Sequence, residues 1–189
     1  MEDKIYFIKT RKVKTPKREH VHDAGIDFFM PNLDDQMIAD LIDRNPHLRG
    51  CKDWIQVDSQ KTLFNEIQVQ MQRIRIDAHQ RVTIPSGIKA WIVDKDTAWI
   101  AHNKSGLASK KGIIVTANVI DADYTGEIHL GIENTSDEPV FFRPDDKITQ
   151  FIQMVVKYPE LEEVTIEQYK EMTSSSDRGE GRMGSTDKN

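Results

Sequence analysis

From residue 73 onward, the apolar residues of this chain fall in short alternating runs separated by frequent turn residues. Ile74 and Ile76 open the series, and the segment 151–156 closes it. Breaks such as Pro85-Ser86-Gly87 and Lys111-Gly112 interrupt it at intervals typical of strand connections. Because successive side chains of a strand point to opposite faces, this spacing predicts an all-β fold, an antiparallel barrel or jelly roll.

Residues 32–72 follow a different pattern. Apolar residues at 37, 38, 41 and 42, after acidic residues at 34 and 35, predict an amphipathic helix, which Pro46 ends. The segment from Ile67 to Met71 fits either a second helix or a strand. This insertion is either a surface elaboration that packs a helix on the barrel or a module that binds a protein partner.

The chain is predicted to have one β domain over residues 1–171 and a glycine-rich arm over residues 172–189. The arm is dominated by Ser, Gly and charged residues, so it cannot bury enough apolar area to fold alone. We therefore expect it to be flexible and to become ordered on a ligand.

Composition excludes several classes of protein. A net charge of -5 argues against general nucleic-acid binding, and no apolar run reaches the length of a membrane span. The single cysteine, Cys51, rules out an internal disulfide and suits a cytoplasmic protein. An apolar content of 38% is low, so the fold would gain from oligomerisation.

Five polar clusters interrupt the apolar pattern in a fixed order. They are Ala24-Gly25-Ile26-Asp27, Lys104-Ser105-Gly106-Leu107-Ala108, Val119-Ile120-Asp121-Ala122-Asp123-Tyr124, Asp146-Lys147-Ile148-Thr149-Gln150 and Arg178-Gly179-Glu180-Gly181. Together these clusters resemble the five motifs of the trimeric dUTPase family, over roughly residues 4–31 and 73–189.

The resemblance implies a distorted jelly-roll β-barrel that forms a homotrimer, with each active site shared between subunits. It also implies hydrolysis of dUTP to dUMP and pyrophosphate with Mg²⁺, which keeps uracil out of DNA and supplies dUMP for thymidylate synthesis. Viral relatives make inserted segments unsurprising, and a viral member would act in the host cytoplasm.

The third cluster has the pattern of a β-hairpin and would hold the catalytic base. Asp121 matches the residue that activates water, and its position between Ile120 and Ala122 predicts partial desolvation, which makes a carboxylate a better base. Tyr124 matches the ring that packs beneath deoxyribose and excludes a 2′-hydroxyl. Strict alternation would put these two side chains on opposite faces, so a shared site requires a bend.

The resemblance assigns further substrate contacts. Ser105 and the amide of Gly106 would hold phosphate oxygens, and Lys104 replaces the usual Arg, which loses a bidentate fork. The alternative for this segment is a basic turn between strands. Asn118 stands where many relatives have Gly and would read uracil through backbone groups, with Ile120 nearby. Gln150 would donate to a phosphate.

The resemblance also implies roles for residues of the first and fourth clusters. Asp27 would hydrogen-bond waters on a Mg²⁺ chelated by the triphosphate, or else serve subunit packing. Asp145 occupies a usual glycine position, which Asp tolerates in a turn. Asp146 and Lys147 are expected to hold the turn and subunit contacts, not substrate.

The arm corresponds to the fifth motif. Arg178 would neutralise the γ-phosphate, and Met183 with Gly184 would cover the base where relatives have Gly-Phe. Methionine can cover a base through soft sulfur contacts in place of ring stacking.

Two other functions stay open at this point. One is the sister deaminase on the same fold, which converts dCTP to dUTP. The other is a nucleotide sensor that keeps the pocket and binds a regulatory partner through the insertion.

Overall fold

The computed structural model describes residues 4–51, 53–61 and 68–176. The strands are β1 (Ile5–Lys9), β2 (Ile26–Phe29), β3 (Ile55–Lys61), β4 (Gln68–Ile76), β5 (Arg81–Ile92), β6 (Thr97–His102), β7 (Ile113–Val115), β8 (Val119–Ile120), β9 (Glu127–Asn134), β10 (Val140–Phe142) and β11 (Lys147–Val155). The helices are α1 (Asp35–Arg44), α2 (Ser105–Lys111) and α3 (Ile166–Met172), with a short 3-10 helix at Pro46–Leu48.

The strands form three antiparallel sheets, which confirms the all-β prediction. Their strand orders are β1-β5-β9-β7, β10-β4-β3 and β2-β11-β6-β8. Across the described ranges, no pairing joins the three sheets into a closed barrel. The prediction of a barrel is therefore corrected to separate sheets that share one apolar core, as in a jelly roll.

The sheet β2-β11-β6-β8 carries parts of three of the five clusters, and it places the first and the fourth side by side. In its register Gln150 of β11 lies between Asp27 of β2 and His102 of β6. Beneath it, the rings of Phe28 and Phe151 meet at 4.7 Å between centroids, and Trp99 packs against both. Edge-to-face contacts of this kind hold the three strands in one relative position.

The start of the insertion packs into the core. Asp34 caps α1 by accepting a hydrogen bond from the amide of Met37, and the side chains of Met37 and Leu41 are fully buried. Asn45, also fully buried, accepts from the amide of Thr83 at 2.8 Å and donates to its carbonyl at 2.9 Å. The first half of the insertion is thus an integral part of the domain.

The second half of the insertion is a strand pair. β3 and β4 pair antiparallel from Ile55↔Ile74 to Lys61↔Gln68, and β10 extends the sheet on the other side of β4. The segment that fitted either a helix or a strand is therefore a strand from Gln68 onward. Residues 62–67 lie outside the described ranges.

The chain divides into two compact units, residues 1–156 and 157–189. In the second unit, α3 begins with a capping box between Thr165 and Gln168. The boundary predicted at residue 171 stays a prediction, as does the arm at 172–189. Within the described ranges, no helix combines the length and the apolar character needed to cross a bilayer.

Candidate active site

A close approach between Gly25 and Gln150 joins the first and fourth clusters. A Cβ at residue 25 would stand 2.2 Å from Gln150 Oε1 and 2.8 Å from its Cδ, so only glycine leaves room for this side chain. The amide of Gln150 then donates to the carbonyl of Asn103 at 2.9 Å, next to the second cluster. Gln150 is half-buried, and its position is fixed from both sides.

Asp27 lies beneath this contact and pairs with two lysines. Its carboxylate accepts from Lys104 Nζ through Oδ1 and from Lys147 Nζ through Oδ2, the latter at 2.7 Å. The side chain is only 4% exposed. Both oxygens are thus engaged by ammonium groups of the same chain. The expected contact between Asp27 and the water shell of Mg²⁺ stays a prediction.

Lys147 extends the ion-pair network to the surface. Its ammonium lies 3.1 Å from Glu19 Oε2, and Lys17 approaches the same oxygen at 3.2 Å. The hydrogen bond from Lys147, followed by that from Lys17, lowers the pKa of Glu19 from 4.5 to about 2. The hydrogen bond to Asp27, with that to Glu19, raises the pKa of Lys147. The sequence suggested subunit contacts for Lys147, whereas its contacts here are within the chain.

The second cluster forms the start of α2, not a turn. Ser105 and Gly106 are exposed in its first turn, where backbone N–H groups have no acceptor within the helix. Next to them is a cavity of about 310 Å³ whose lining includes Lys104, Lys111 and Lys147. Free amides beside several ammonium groups are suited to a phosphate chain.

Gly106 is open on its outer side. A Cβ built there would meet no atom within 4 Å. Nothing in the described part of the chain therefore requires glycine at this position, and the expected need for close approach would have to come from a ligand or another subunit.

The third cluster is not a β-hairpin. β8 pairs with β6, whereas β9 pairs with β5 and β7, so the strands on either side of the cluster belong to different sheets. Between them, the amide of Tyr124 donates to the carbonyl of Asp121 at 3.1 Å, which closes a turn. The predicted bend is confirmed, and it carries the chain from one sheet to the next.

Asp121 is exposed, and so is Asp123. The prediction of partial desolvation is therefore wrong for a single chain. Of the neighbours that were expected to bury Asp121, only Ala122 is buried, and Ile120 is half-buried at the end of β8. The carboxylate projects from the turn beyond the strand, where the chain itself leaves it in water.

Tyr124 folds back over its own turn. Its hydroxyl donates to the carbonyl of Glu127 at 2.9 Å. A Cβ at Gly126 would stand 2.4 Å from that hydroxyl and 2.6 Å from Cζ, so the ring lies directly against the glycine. One face of the side chain stays accessible, at 41% exposure. This is an arrangement that can offer a flat surface to a sugar.

Two positions where relatives have glycine differ in their backbone. Asp145 has a φ of +71°, in the left-handed region, and its turn is closed by the amide of Arg143 donating to Asp146 Oδ2 at 2.7 Å. Asn118 is not among the residues with positive φ. Its carbonyl accepts from the amide of Ala101 at 2.6 Å, which ties it to β6 next to the start of β8.

The residues of the arm that were assigned to the site fall outside the described ranges. These are Arg178, Met183 and Gly184. Their roles over the γ-phosphate and the base stay predictions.

The described residues do not supply a metal-binding set. They contain no group of three or more His, Cys, Asp or Glu that could hold an ion. The carboxylate assigned to Mg²⁺, Asp27, is occupied by Lys104 and Lys147. The described part of the chain therefore offers no ready-made protein site for a resident magnesium ion.

Sequence reasoning missed Asn103, which supports the site from below. Its side-chain Oδ1 accepts from the amide of Val115 at 2.7 Å, and its carbonyl accepts from Gln150. The only signal was its place directly before Lys104.

Comparison with known proteins agrees with this arrangement. The chain is 33% identical over 119 residues to the deoxyuridine 5'-triphosphate nucleotidohydrolase of Glaesserella parasuis, which covers 62% of this chain and 75% of that protein. It is 37% identical over 114 residues to the enzyme of the same name from Candida albicans, at 60% and 69% coverage.

Solved structures extend the likeness to the whole fold. A Staphylococcus bacteriophage 80alpha dUTPase with dUpNHpp superposes with a TM-score of 0.64 at 18% identity, over 98% of this chain and 99% of that one. The dUTPase of EIAV gives a TM-score of 0.56 at 18% identity, over 86% and 98%. The dUTPase family model matches residues 67–187, from the start of the β4 region into the arm. Sequence and fold thus agree that the chain belongs to the dUTPase family.

Proposed function

We propose that this protein hydrolyses dUTP to dUMP and pyrophosphate. The observation that carries the proposal is the assembly at the end of β6. Here Lys104 and Gly106 of the α2 start line a cavity together with Lys111 and Lys147, and Gln150 is held next to them by its hydrogen bond to the carbonyl of Asn103. The base and the sugar-facing ring, Asp121 and Tyr124, stand in the turn after β8. A nucleoside triphosphate needs both a region that binds its phosphates and a region that faces its sugar.

The reaction requires a water molecule that attacks the α-phosphorus. Asp121 takes a proton from that water, the new P–O bond forms, and the bond from the α-phosphorus to the bridging oxygen breaks. The electron pair leaves with pyrophosphate, and the water oxygen stays on dUMP. Lys104, Ser105 and Gln150 stabilise the charge that develops on the phosphate chain.

Magnesium enters this scheme with the substrate. Mg²⁺ keeps several of its waters and binds readily to phosphate oxygens, so a Mg·dUTP complex needs no protein cage. The metal would screen the charge of the phosphate oxygens. On the protein side, charge complementarity comes from lysines, and Asp27 holds two of them in place.

Substrate selection depends on the segment from Asn118 to Tyr124, which includes the turn after β8. Main-chain groups near Asn118 and Ile120 can match the edge of uracil and mismatch cytosine, which leaves a buried polar group unpaired. The ring of Tyr124 would lie beneath deoxyribose, where a 2′-hydroxyl has no space. Both features favour dUTP over dCTP and UTP.

The register of the sheet supports an active site shared between subunits. Trp99 of β6 pairs with Ile120, so Asp121 comes level with Ala98, six residues before Lys104. At about 3.3 Å per residue this is about 20 Å along the strand. That distance exceeds what one triphosphate chain can bridge, so we infer that the base of one subunit faces the phosphate-binding end of another. The number of subunits, three, is what the family resemblance implies.

A second subunit would also supply the desolvation that Asp121 lacks. Its carboxylate is exposed in one chain. An apolar or phosphate-bearing surface placed over it would remove water and raise its basicity. The cytoplasm suits such a protein, since its only cysteine, Cys51, forms no disulfide.

The decisive experiment measures pyrophosphate release from dUTP with Mg²⁺, with dCTP, dTTP and UTP assayed side by side. We expect release from dUTP alone and no ammonia from dCTP. Asp121→Asn should abolish turnover and retain nucleotide binding, because the amide keeps the shape but cannot accept the proton. A parent protein that binds dUTP without turnover would refute the proposal and favour a sensor.

Two further measurements test the shared site. Mass in solution should correspond to three chains, and a stable monomer would contradict the model. Removal of the chain from Arg178 onward should leave the trimer folded and strongly reduce turnover, since the arm is expected to close over the triphosphate. Full activity of the truncated protein would show that the arm has no such role.

A further inference from the structure

Arg11 lies at the centre of a cluster that joins the inserted helix to the strand after the Tyr124 turn. Its Nε and Nη2 donate to the two oxygens of Glu127 at 3.0 and 2.9 Å, which forms a bidentate pair. The same Nη2 donates to Asp40 of α1 at 2.9 Å, and Nη1 contacts Met37 Sδ at 3.3 Å. We call these residues, with Gly87, the Arg11 cluster.

A bulge in β5 accommodates the Arg11 side chain. The pairing of β5 with β9 shifts between Pro85 and Lys89, and Gly87 within this shift has a φ of +74°. Its amide donates to Glu127 Oε1 at 2.7 Å. A Cβ at residue 87 would stand 2.5 Å from Arg11 Cγ, so glycine permits both the backbone and the packing.

The cluster is shielded from water, which makes its geometry stiff. The side chains of Arg11 and Glu127 are 12% and 17% exposed. Burial by itself would lower the pKa of Arg11, but hydrogen bonds to Glu127 and Asp40 outweigh it and raise that pKa. Charge-assisted bidentate bonds in a partly dry environment are strong and directional.

Glu127 connects this cluster to the sugar-facing ring. Its backbone carbonyl accepts the hydroxyl of Tyr124 at 2.9 Å, while its side chain is held by Arg11 and Gly87. Glu127 is also the first residue of β9, where the turn ends. Any shift of this residue therefore moves the acceptor that orients Tyr124.

We propose that Arg11 is a positioning residue for Tyr124: by clamping Glu127 it fixes the ring that excludes the 2′-hydroxyl of a ribonucleotide. Asp40 gives the inserted helix a part in this clamp. The inference rests on the proposed function and deepens it, since it names the residues that set discrimination between dUTP and UTP.

The test compares kcat/KM for dUTP and UTP in the full-length protein. Arg11→Lys keeps the charge but cannot make two parallel bonds to Glu127. We expect the dUTP-to-UTP ratio to fall on the order of tenfold, mainly through better use of UTP. Gly126→Ala, whose Cβ would stand 2.4 Å from the Tyr124 hydroxyl and displace the ring directly, should also lower the ratio.

Two further variants serve as comparisons: the first should change the dUTP-to-UTP ratio less than Arg11→Lys does, and the second should not change it. Asp40→Asn weakens only the contact with α1 and should reduce the ratio by about two- to threefold. Arg75→Lys alters a more exposed arginine–carboxylate pair, Arg75 with Asp77 at 2.6 Å, near the other end of β9, and should leave the ratio unchanged.

A double-mutant cycle separates positioning from general loosening of the fold. In a Tyr124→Phe background the hydroxyl bond to Glu127 is absent, so Arg11→Lys should have a smaller effect on the ratio than in the parent. Thermal unfolding of each variant identifies any that fail to fold, in which case Gly126→Ala and Asp40→Asn carry the test.

Failure of this inference is distinguishable from failure of the proposed function. If the parent does not hydrolyse dUTP, the proposed function is wrong. If the parent hydrolyses dUTP and rejects UTP, while folded Arg11→Lys, Asp40→Asn and Gly126→Ala proteins keep the parental ratio, the positioning role of Arg11 is wrong and the function stands.

Discussion

Replacement of Asp27 by asparagine tests whether this residue serves the fold or a metal. The carboxylate is 4% exposed and neutralises Lys104 and Lys147, whose side chains are 24% and 36% exposed. Breaking a fully buried ion pair costs about 3–5 kcal/mol. Because both lysines reach solvent, which screens them, we expect about 2 kcal/mol for Asp27→Asn.

The assay is urea unfolding at neutral pH, repeated with EDTA and with excess Mg²⁺. A loss of about 2 kcal/mol corresponds to a fall in Tm of about 4–8 °C for a chain of this size. The loss should be the same with and without the metal. Turnover of dUTP should fall as well, since Lys104 loses the partner that holds it beside the cavity.

Glu19→Gln is the matched control, because Glu19 is the exposed partner of Lys147 in the same network. Its replacement should leave the unfolding midpoint almost unchanged. The reasoning is refuted if Asp27→Asn unfolds like the parent and regains turnover at high Mg²⁺. That result would restore the water-mediated metal role.

Two other predictions concern the insertion and the pH response. Asn45→Ala removes the hydrogen bonds to Thr83 and should lower the free energy of unfolding in urea by about 3 kcal/mol. The control Gln36→Ala, on the exposed side of α1, should change it by no more than about 0.5 kcal/mol. Equal values for the two variants would show that Asn45 does not anchor the insertion. Glu19 should titrate near pH 2 by carbon NMR, because the hydrogen bonds from Lys147 and then Lys17 lower its pKa from 4.5. Glu19 therefore keeps its charge well below pH 4.5, and its ion pair with Lys147 is lost as the pH falls towards 2. Lys147→Met should move that titration back towards 4.5, and an unchanged midpoint would exclude the ion pair in solution.

Local patterns in the sequence were sufficient for most strands after residue 73, for α1 and for the family. Alternation of apolar residues depends only on neighbours along the chain, and so does the stripe of α1 with its cap at Asp34. The left-handed turn at Asp145 follows from residue type in the same way. The five clusters were recognisable from the sequence because each is a short run of neighbouring residues.

Tertiary structure decided the roles of the charged side chains. Asp27 meets Lys104 and Lys147, which lie 77 and 120 residues further along the chain, and Arg11 meets Glu127 across 116 residues. No period in the sequence encodes such pairs, because they depend on which strands become neighbours.

The same reason explains the wrong predictions for the third cluster. Sequence alone indicated a hairpin with a shielded Asp121, but burial depends on what packs over a residue. The fold sends β8 and β9 into different sheets and leaves Asp121 in water at the turn between them. Residue types along the chain thus determined the chemistry available to this protein, and the pairing of distant strands determined which groups are charged partners, which are buried and which stay free for a ligand.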